Sequence, residues 1–165
     1  MIRLILIFFT FFTLDNLLVL FLPLQPLIGM YHVIPNAFLT CLCLFVFFDK
    51  GRKSYVLAVV FGLLYDVYYA GTLGLYLCLF PIIVFGLRRI FTHSTPINFF
   101  SMAALMTGVI FFEEWIVYFM VLTVTPVNMS FIHFFQYILI PTLIFNALFM
   151  IAAYPVLISN FKKLE

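Results

Sequence analysis

The sequence predicts an all-α integral membrane protein, a six-transmembrane-helix bundle that forms a single transmembrane domain over residues 1–165. The first observation is composition, because 67% of the residues are hydrophobic, only 8% are charged, and the mean hydropathy is +1.27. A soluble domain needs roughly a quarter of its residues charged, so most of this surface must face lipid. The second is pattern: the apolar runs, such as residues 4–14, lack the alternation of barrel strands, so the spans must be helices.

Six apolar stretches have lengths suited to a hydrocarbon core of about 30 Å, at about 1.5 Å per helical residue. They are predicted at residues 4–22, 33–48, 54–69, 72–87, 99–121 and 131–154. Arg3 is the only charged residue before the first stretch, and no small-residue cleavage site follows Phe21. We therefore expect this stretch to remain as a span instead of being removed as a signal peptide. The second ends at the charged run 49–53.

Residues 54–87 are predicted to form a helical hairpin. As one helix they would be roughly 51 Å long, which is too long for a single crossing. The turn is predicted at residues 70–74, because Gly71 and Gly74 accept positive φ without strain. The fifth span stops near Pro126, and the sixth contains Pro141, which is predicted to kink it.

The distribution of basic residues predicts the orientation. Six spans and an inside N-terminus leave the three connections around residues 23–32, 70–72 and 122–130 without lysine or arginine. All eight basic residues then share one side: Arg3, Lys50, Arg52, Lys53, Arg88, Arg89, Lys162 and Lys163. Since lysine and arginine concentrate in cytoplasmic loops, both termini are predicted to face the cytoplasm.

Four carboxylates are predicted to lie inside spans, about 18–22 Å from the cytoplasmic ends. They are Asp15, Asp66, Glu113 and Glu114. Ionisable groups are costly in a membrane and therefore suggest function. One interpretation is an outward-opening polar pocket of Asp15, Glu113 and Glu114, with His32 and His133 as the possible cationic partners. The other interpretation is helix packing, with each carboxyl hydrogen-bonded to polar neighbours.

Asp66 has a further property, because it follows Gly62 by four residues and so shares a helix face with it. A small residue allows a neighbouring helix to approach closely, beside a carboxylate that can bond across the interface.

Patterns for catalysis or cofactor binding are missing from the sequence. It contains no G-x-S-x-G, H-E-x-x-H, P-loop or C-x-x-C pattern. Cys41, Cys43 and Cys78 lie in apolar runs, which favours packing thiols over a disulfide or a metal site. The basic residues lie only at membrane boundaries, so nucleic-acid binding has no support. We therefore expect no catalytic residue, no cofactor and no metal.

Residues 61–75, with the sequence FGLLYDVYYAGTLGL, resemble the signature of the bacterial rod shape-determining MreD family. That signature has a glycine, an aspartate four residues later and a Gly/Ser–small–Leu–Gly turn that opens the next helix. The matching positions are Gly62, Asp66, Gly71, Leu73 and Gly74. The aromatic run 65–69 departs from the family pattern, in which aliphatic and serine residues are commoner.

The resemblance implies a non-catalytic membrane scaffold of the cell-elongation machinery in the bacterial cytoplasmic membrane. Such proteins act with the bitopic protein MreC and, through it, with peptidoglycan polymerases and transpeptidases. The resemblance also implies a fold like the S-component of energy-coupling-factor transporters.

Two other functions compete with this interpretation. One is a substrate-binding membrane subunit of an energy-coupling-factor vitamin transporter, which would hold a small molecule in the outward pocket. Such subunits dock through an Ala-x-x-x-Ala pattern on the first helix, but the first span here contains no alanine. The other is a lipid-organising or chaperone-like membrane protein.

Overall fold

The computed structural model describes residues 2–21, 32–49, 51–71, 73–90, 99–124 and 129–163 of the chain. Across these ranges the chain is helical and contains no β-strand. The prediction of an all-α protein is therefore confirmed.

Six helices lie within the described ranges. They are α1 (Ile2–Phe21), α2 (Ala37–Phe48), α3 (Lys53–Tyr65, continued by the π-helical turn Asp66–Ala70), α4 (Leu75–Ile90), α5 (Phe99–Val124) and α6 (Phe131–Phe134, the π-helical turn Phe135–Leu139, then Ile140–Lys162).

Three of these helices are long and apolar enough to cross a membrane, namely α1, α5 and α6 taken over Phe131–Lys162. α2 is apolar but has only 12 residues, which corresponds to about 18 Å. Membrane insertion is supported by the long helices, and the number of six spans stays a prediction.

α2 begins at Ala37, four residues after the predicted start of the second span at residue 33. Pro35 explains the delay, because the residue before a proline disfavours the α conformation. The described residues 32–36 have no helical or strand assignment and lead into α2.

The helix α2 is the centre of the molecule. All of residues 37–46 are buried, and α2 contacts α1, α3, α4, α5 and α6. The Phe38 ring lies 4.8 Å from that of Phe61 on α3 and 5.7 Å from that of Phe8 on α1. A helix that is apolar on every face is expected to be surrounded in this way.

The two ends of the bundle differ in charge. At one end the Arg88 guanidinium of α4 reaches Asp49, and the Phe161 ring of α6 lies 5.3 Å from that of Phe45 on α2. At the other end the Asp15 carboxylate of α1 meets the first amides of α2. We name these the basic end and the polar end. Every described lysine and arginine lies in the part of its helix near the basic end: Arg3, Arg52, Lys53, Arg88, Arg89, Lys162 and Lys163.

The irregularity in α6 is a π-helical turn over Phe135–Leu139, directly before Pro141. Pro141 lacks the N–H that would bond the carbonyl four residues earlier, which belongs to Tyr137. The backbone N–H of His32 donates to that carbonyl at 2.8 Å. The proline therefore makes an acceptor available for the segment that precedes α2.

Candidate functional site: a buried polar layer

Asp15 binds the beginning of α2 from the neighbouring helix. Its Oδ1 accepts from the Ala37 N–H at 2.7 Å, and its Oδ2 accepts from the Phe38 N–H at 2.9 Å. The Tyr65 hydroxyl of α3 also donates to Oδ2, at 2.5 Å. The first amides of a helix have no partner within the helix and carry partial positive charge. A buried carboxylate placed there is stabilised, and it joins three helices.

Asp66 of α3 binds the beginning of α4 across the turn of the hairpin. Its carboxylate accepts from the backbone N–H groups of Gly74 at 2.7 Å, Tyr76 at 2.7 Å and Leu77 at 3.2 Å. Gly71 and Gly74 form the turn with φ of +61° and +117°, values that favour glycine. The carboxylate predicted to bond across the interface is thus placed against the backbone of the adjacent helix.

Gly62 lies one turn before Asp66, at a position where α3 and α4 approach closely. A Cβ built on Gly62 would lie 2.6 Å from the Tyr76 carbonyl oxygen and 2.9 Å from the Leu77 Cα. No side chain fits there unless the helices separate. Leu73, the remaining residue of the motif, is exposed at the turn.

The segment before α2 is held to α6 by alternate residues. The Ile34 N–H donates to Thr142 Oγ1 at 3.1 Å, and the Asn36 N–H donates to Asn146 Oδ1 at 2.8 Å. Asn146 Nδ2 donates in turn to the Ile34 carbonyl at 2.8 Å. Non-helical backbone is tolerated at membrane depth only where protein groups satisfy it, and these side chains do so.

Glu113 and Glu114 of α5 are both buried at the polar end. Asn36 Nδ2 donates to Glu114 Oε1 at 3.3 Å. Glu113 lies close enough to Asp15 and Glu114 for their charges to interact, and its Oε2 has no hydrogen-bond partner within the described ranges. Three of the carboxylates predicted for the pocket are therefore brought into one neighbourhood.

Of the two histidines of the predicted pocket, His133 lies on α6 and His32 lies in the segment before α2. The His133 ring is 4.7 Å from the ring of Tyr137, one turn further on. His32 bonds the same residue through its backbone N–H, and its side chain is exposed.

A cavity of about 580 Å³ opens on α6 near the π-helical turn. It is lined by Val33, Gln136, Tyr137, Ile140, Pro141, Ile144, Phe145 and Leu148. None of the residues predicted for the polar pocket is in this lining, so the cavity and the carboxylates are separate features.

Sequence reasoning missed the polar cluster at the basic end, where Asp49 and Arg88 were assigned only to topology. Arg88 Nη2 donates to Asp49 Oδ2 at 2.7 Å, to Ser54 Oγ at 2.9 Å and to the Gly51 carbonyl. The Asp49 carboxylate accepts from the N–H groups of Ser54 at 2.7 Å and Gly51 at 3.0 Å, at the start of α3. The sequence did contain a signal for this cluster, because an aspartate shortly before a helix commonly accepts hydrogen bonds from the first amides of that helix.

Burial raises the pKa of Asp49, but hydrogen bonds from Ser54 and Gly51 and the charge of Arg88 outweigh burial. The pKa of this carboxyl therefore lies below its ordinary value. The carboxylate is ionised, as its pairing with Arg88 requires.

All three aspartates of the chain thus accept backbone N–H groups at or just before the start of a helix. The buried polar side chains of this site hold neighbouring helices together, and that of Asp15 holds the central helix α2.

Comparison with protein families agrees with the resemblance of the Gly62–Gly74 motif. The chain matches the family model of the rod shape-determining protein MreD over residues 1–164. Comparisons with curated proteins and with solved structures found no match. Because the family match covers essentially the whole chain, the protein belongs to the MreD family of rod shape-determining membrane proteins.

Proposed function

We propose that the protein is a non-catalytic scaffold of the cell-elongation machinery in the bacterial cytoplasmic membrane. In this proposal it acts with an MreC-like bitopic membrane protein and, through that partner, with a peptidoglycan polymerase and a transpeptidase. The observation that carries the proposal is the family match over residues 1–164.

The interior of the bundle supports a structural role. Asp15 and Asp66 use their carboxylates on backbone amides, and Asn146 uses its amide on the segment before α2. These side chains already form hydrogen bonds within the protein, so they are poorly placed to act on a substrate. Such bonds hold the bundle together, as a scaffold requires.

The outer surface supports a partner within the membrane. Large apolar side chains are exposed along α1, α3 and α6, including Leu6, Val60 and Ile144. Transmembrane helices associate by close packing of such surfaces and by polar contacts between them. The partner surface is therefore proposed to lie on a helix flank, in contact with lipid when the partner is absent.

The charge of the two ends supports six crossings with both termini in the cytoplasm. All described basic side chains lie near one end of the bundle. The positive-inside rule assigns that end to the cytoplasm.

Photocrosslinking from defined positions tests the scaffold. A photoreactive amino acid is placed at Leu6, Val60 or Ile144, which are exposed, and at the buried Phe8 as the matched control. At least one exposed position should crosslink to a single-pass membrane protein with a periplasmic domain, and Phe8 should not. The proposed scaffold function is contradicted if every exposed position crosslinks only to lipid while the variants still support cell shape.

One observation favours the transporter-subunit alternative, namely the cavity on α6. Its volume of about 580 Å³ is in the range of small-molecule sites. Such sites also need several convergent polar groups, but this lining is mostly apolar, with only Gln136 and Tyr137 polar. Mass spectrometry of the purified protein separates the alternatives, because a vitamin bound in stoichiometric amount would favour the transporter subunit.

A further inference from the structure

One buried polar atom on α2 and one on α5 are among those without a hydrogen-bond partner within the described residues. They are Glu113 Oε2 and Thr40 Oγ1. The exposed fractions of Glu113, Glu114 and Thr40 are only 3%, 2% and 0%. Buried polar groups without partners are rare in folded proteins, and each requires an explanation.

Thr40 shares a side of α2 with two residues that interact with the glutamates. It follows Asn36 by four residues and precedes Cys43 by three, so the three residues share one side of α2. Asn36 donates to Glu114, and the charge of Glu113 acts on Cys43. This spacing places Thr40 on the side of α2 that interacts with the two glutamates.

Within the described ranges, the groups whose charges interact with that of Glu113 do not balance it. The titratable groups whose charges interact with that of Glu113 lie on α5 itself and on the first four helices. They are Asp15 on α1, Cys43 on α2, Tyr65 on α3, Tyr76 on α4 and Glu114 on α5. None of these groups is cationic. The described lysines and arginines lie near the basic end.

Asp15 and Glu114, the acids near Glu113, both accept hydrogen bonds from other parts of the protein. Asp15 is stabilised by the amides of Ala37 and Phe38 and by the Tyr65 hydroxyl, and Glu114 is stabilised by Asn36. A buried carboxylate without such partners is strongly disfavoured unless it is neutralised. Glu113 Oε2 has no such partner within the described ranges, so we expect a cation from outside the protein to neutralise this carboxylate.

We propose that Glu113, Glu114 and Thr40 form a binding site for one small monovalent cation, a proton or a sodium ion, between α2 and α5. Two carboxyl groups and a hydroxyl offer only oxygen atoms, which suit hard cations. The bound charge neutralises Glu113 and allows α5 to pack against α2. This site is independent of the scaffold function and goes beyond it.

Carbodiimide labelling of the full-length protein in detergent tests the site. Dicyclohexylcarbodiimide modifies a carboxyl group that carries a proton in apolar surroundings, and the adduct is located by mass spectrometry. A proton site predicts an adduct at Glu113 that declines about tenfold per unit of pH above its midpoint, unchanged by sodium. A sodium site predicts that NaCl, but not choline chloride, protects Glu113 from labelling at constant pH.

Thermal unfolding provides a second measurement if the reagent does not reach the site. The melting temperature of the wild type should depend on pH or on sodium, and Glu113→Gln should lose that dependence, because the amide carries no charge. Asp49→Asn, at the basic end, is the matched control and should retain it. The proposal is overturned if Glu113 is not labelled and the wild type and Glu113→Gln respond identically to pH and to sodium.

Discussion

The carboxylates of Asp15, Asp49 and Asp66 each accept N–H groups at the beginning of a helix that belongs to a different part of the chain or follows a turn. Water satisfies such amides in soluble proteins, but the membrane interior offers none. At the scale of single residues, Asp15 and Asp66, which are predicted to lie inside spans, take the place of that water. Their charges are balanced by amide dipoles, whereas Asp49 also pairs with Arg88.

Replacing Asp15 by alanine should destabilise the protein strongly. The change leaves the Ala37 and Phe38 amides and the Tyr65 hydroxyl without their acceptor. Each unsatisfied buried group costs about 1–3 kcal/mol, so the free energy of unfolding should fall by several kcal/mol. Thermal unfolding of the purified protein, followed by the fluorescence of Trp115, measures this loss.

Two variants give the control for Asp15. Tyr65→Phe removes a single hydrogen bond and should cost about 1 kcal/mol. Thr10→Ala removes a hydroxyl that is exposed and bonds only the Leu6 carbonyl of its own helix, so its effect should be small. Equal stability of Asp15→Ala and Thr10→Ala would contradict the role given to Asp15.

Acid should weaken the contact between Asp49 and Arg88. Because the pKa of Asp49 is lowered in the folded protein, its contribution to stability is complete above the ordinary value of 3.8. That contribution is lost as the pH falls through the lower pKa of the folded state. Melting temperatures from about pH 6 to about pH 3 should therefore fall more steeply for the wild type than for Asp49→Asn. Parallel curves would show that Asp49 makes no such contribution.

At the scale of elements, the hairpin of α3 and α4 depends on one close contact. The backbone of α4 at Tyr76 and Leu77 occupies the space where a side chain on Gly62 would lie. Asp66 then bonds the same stretch of α4 through its carboxylate. The glycine sets the distance between the helices, and the aspartate sets their register.

Gly62→Ala should destabilise the hairpin by about 1–3 kcal/mol, because the added methyl group forces the two helices apart. Gly86→Ala and Gly108→Ala are matched controls, since a Cβ at either position meets nothing within 4 Å. Alanine is also the better helix former. The controls should therefore be neutral or slightly stabilising in the same unfolding measurement. A neutral Gly62→Ala would contradict the close contact.

Much of this hairpin could be predicted from the sequence, whereas the docking of α2 could not. A spacing of four residues places Gly62 and Asp66 on one helix face, and glycines mark the turn. Asn36 and Asn146, in contrast, are 110 residues apart and belong to no periodic pattern. Long-range pairing of this kind depends on the packing of whole helices, and a single sequence contains no local signal for it.

At the scale of the whole molecule, charge separates the two ends. Arg88 pairs with Asp49 at one end, where the other described basic side chains also lie, and buried carboxylates lie around α2 at the other. This asymmetry is what the six alternating crossings predicted from the sequence would produce. Which end of the bundle faces the cytoplasm can be measured directly.

Labelling of single cysteines should locate the two ends. In a variant without Cys41, Cys43 and Cys78, the changes Arg52→Cys and Leu73→Cys place one thiol at each end, both at exposed positions. A membrane-impermeant maleimide added to spheroplasts should label Leu73→Cys at once and Arg52→Cys only after permeabilisation. The reverse order would overturn the orientation.

The central position of α2 has a consequence for biogenesis. The second segment leaves the ribosome early, but its acceptors and donors at Thr142 and Asn146 are synthesised more than 100 residues later. Until then the backbone amides of Ile34 and Asn36 lack these partners, so we expect the segment to stay in contact with the insertion machinery or a chaperone. Nascent chains that end before residue 140 should therefore be recognised by membrane quality control, and the last helix should complete assembly by closing over the second.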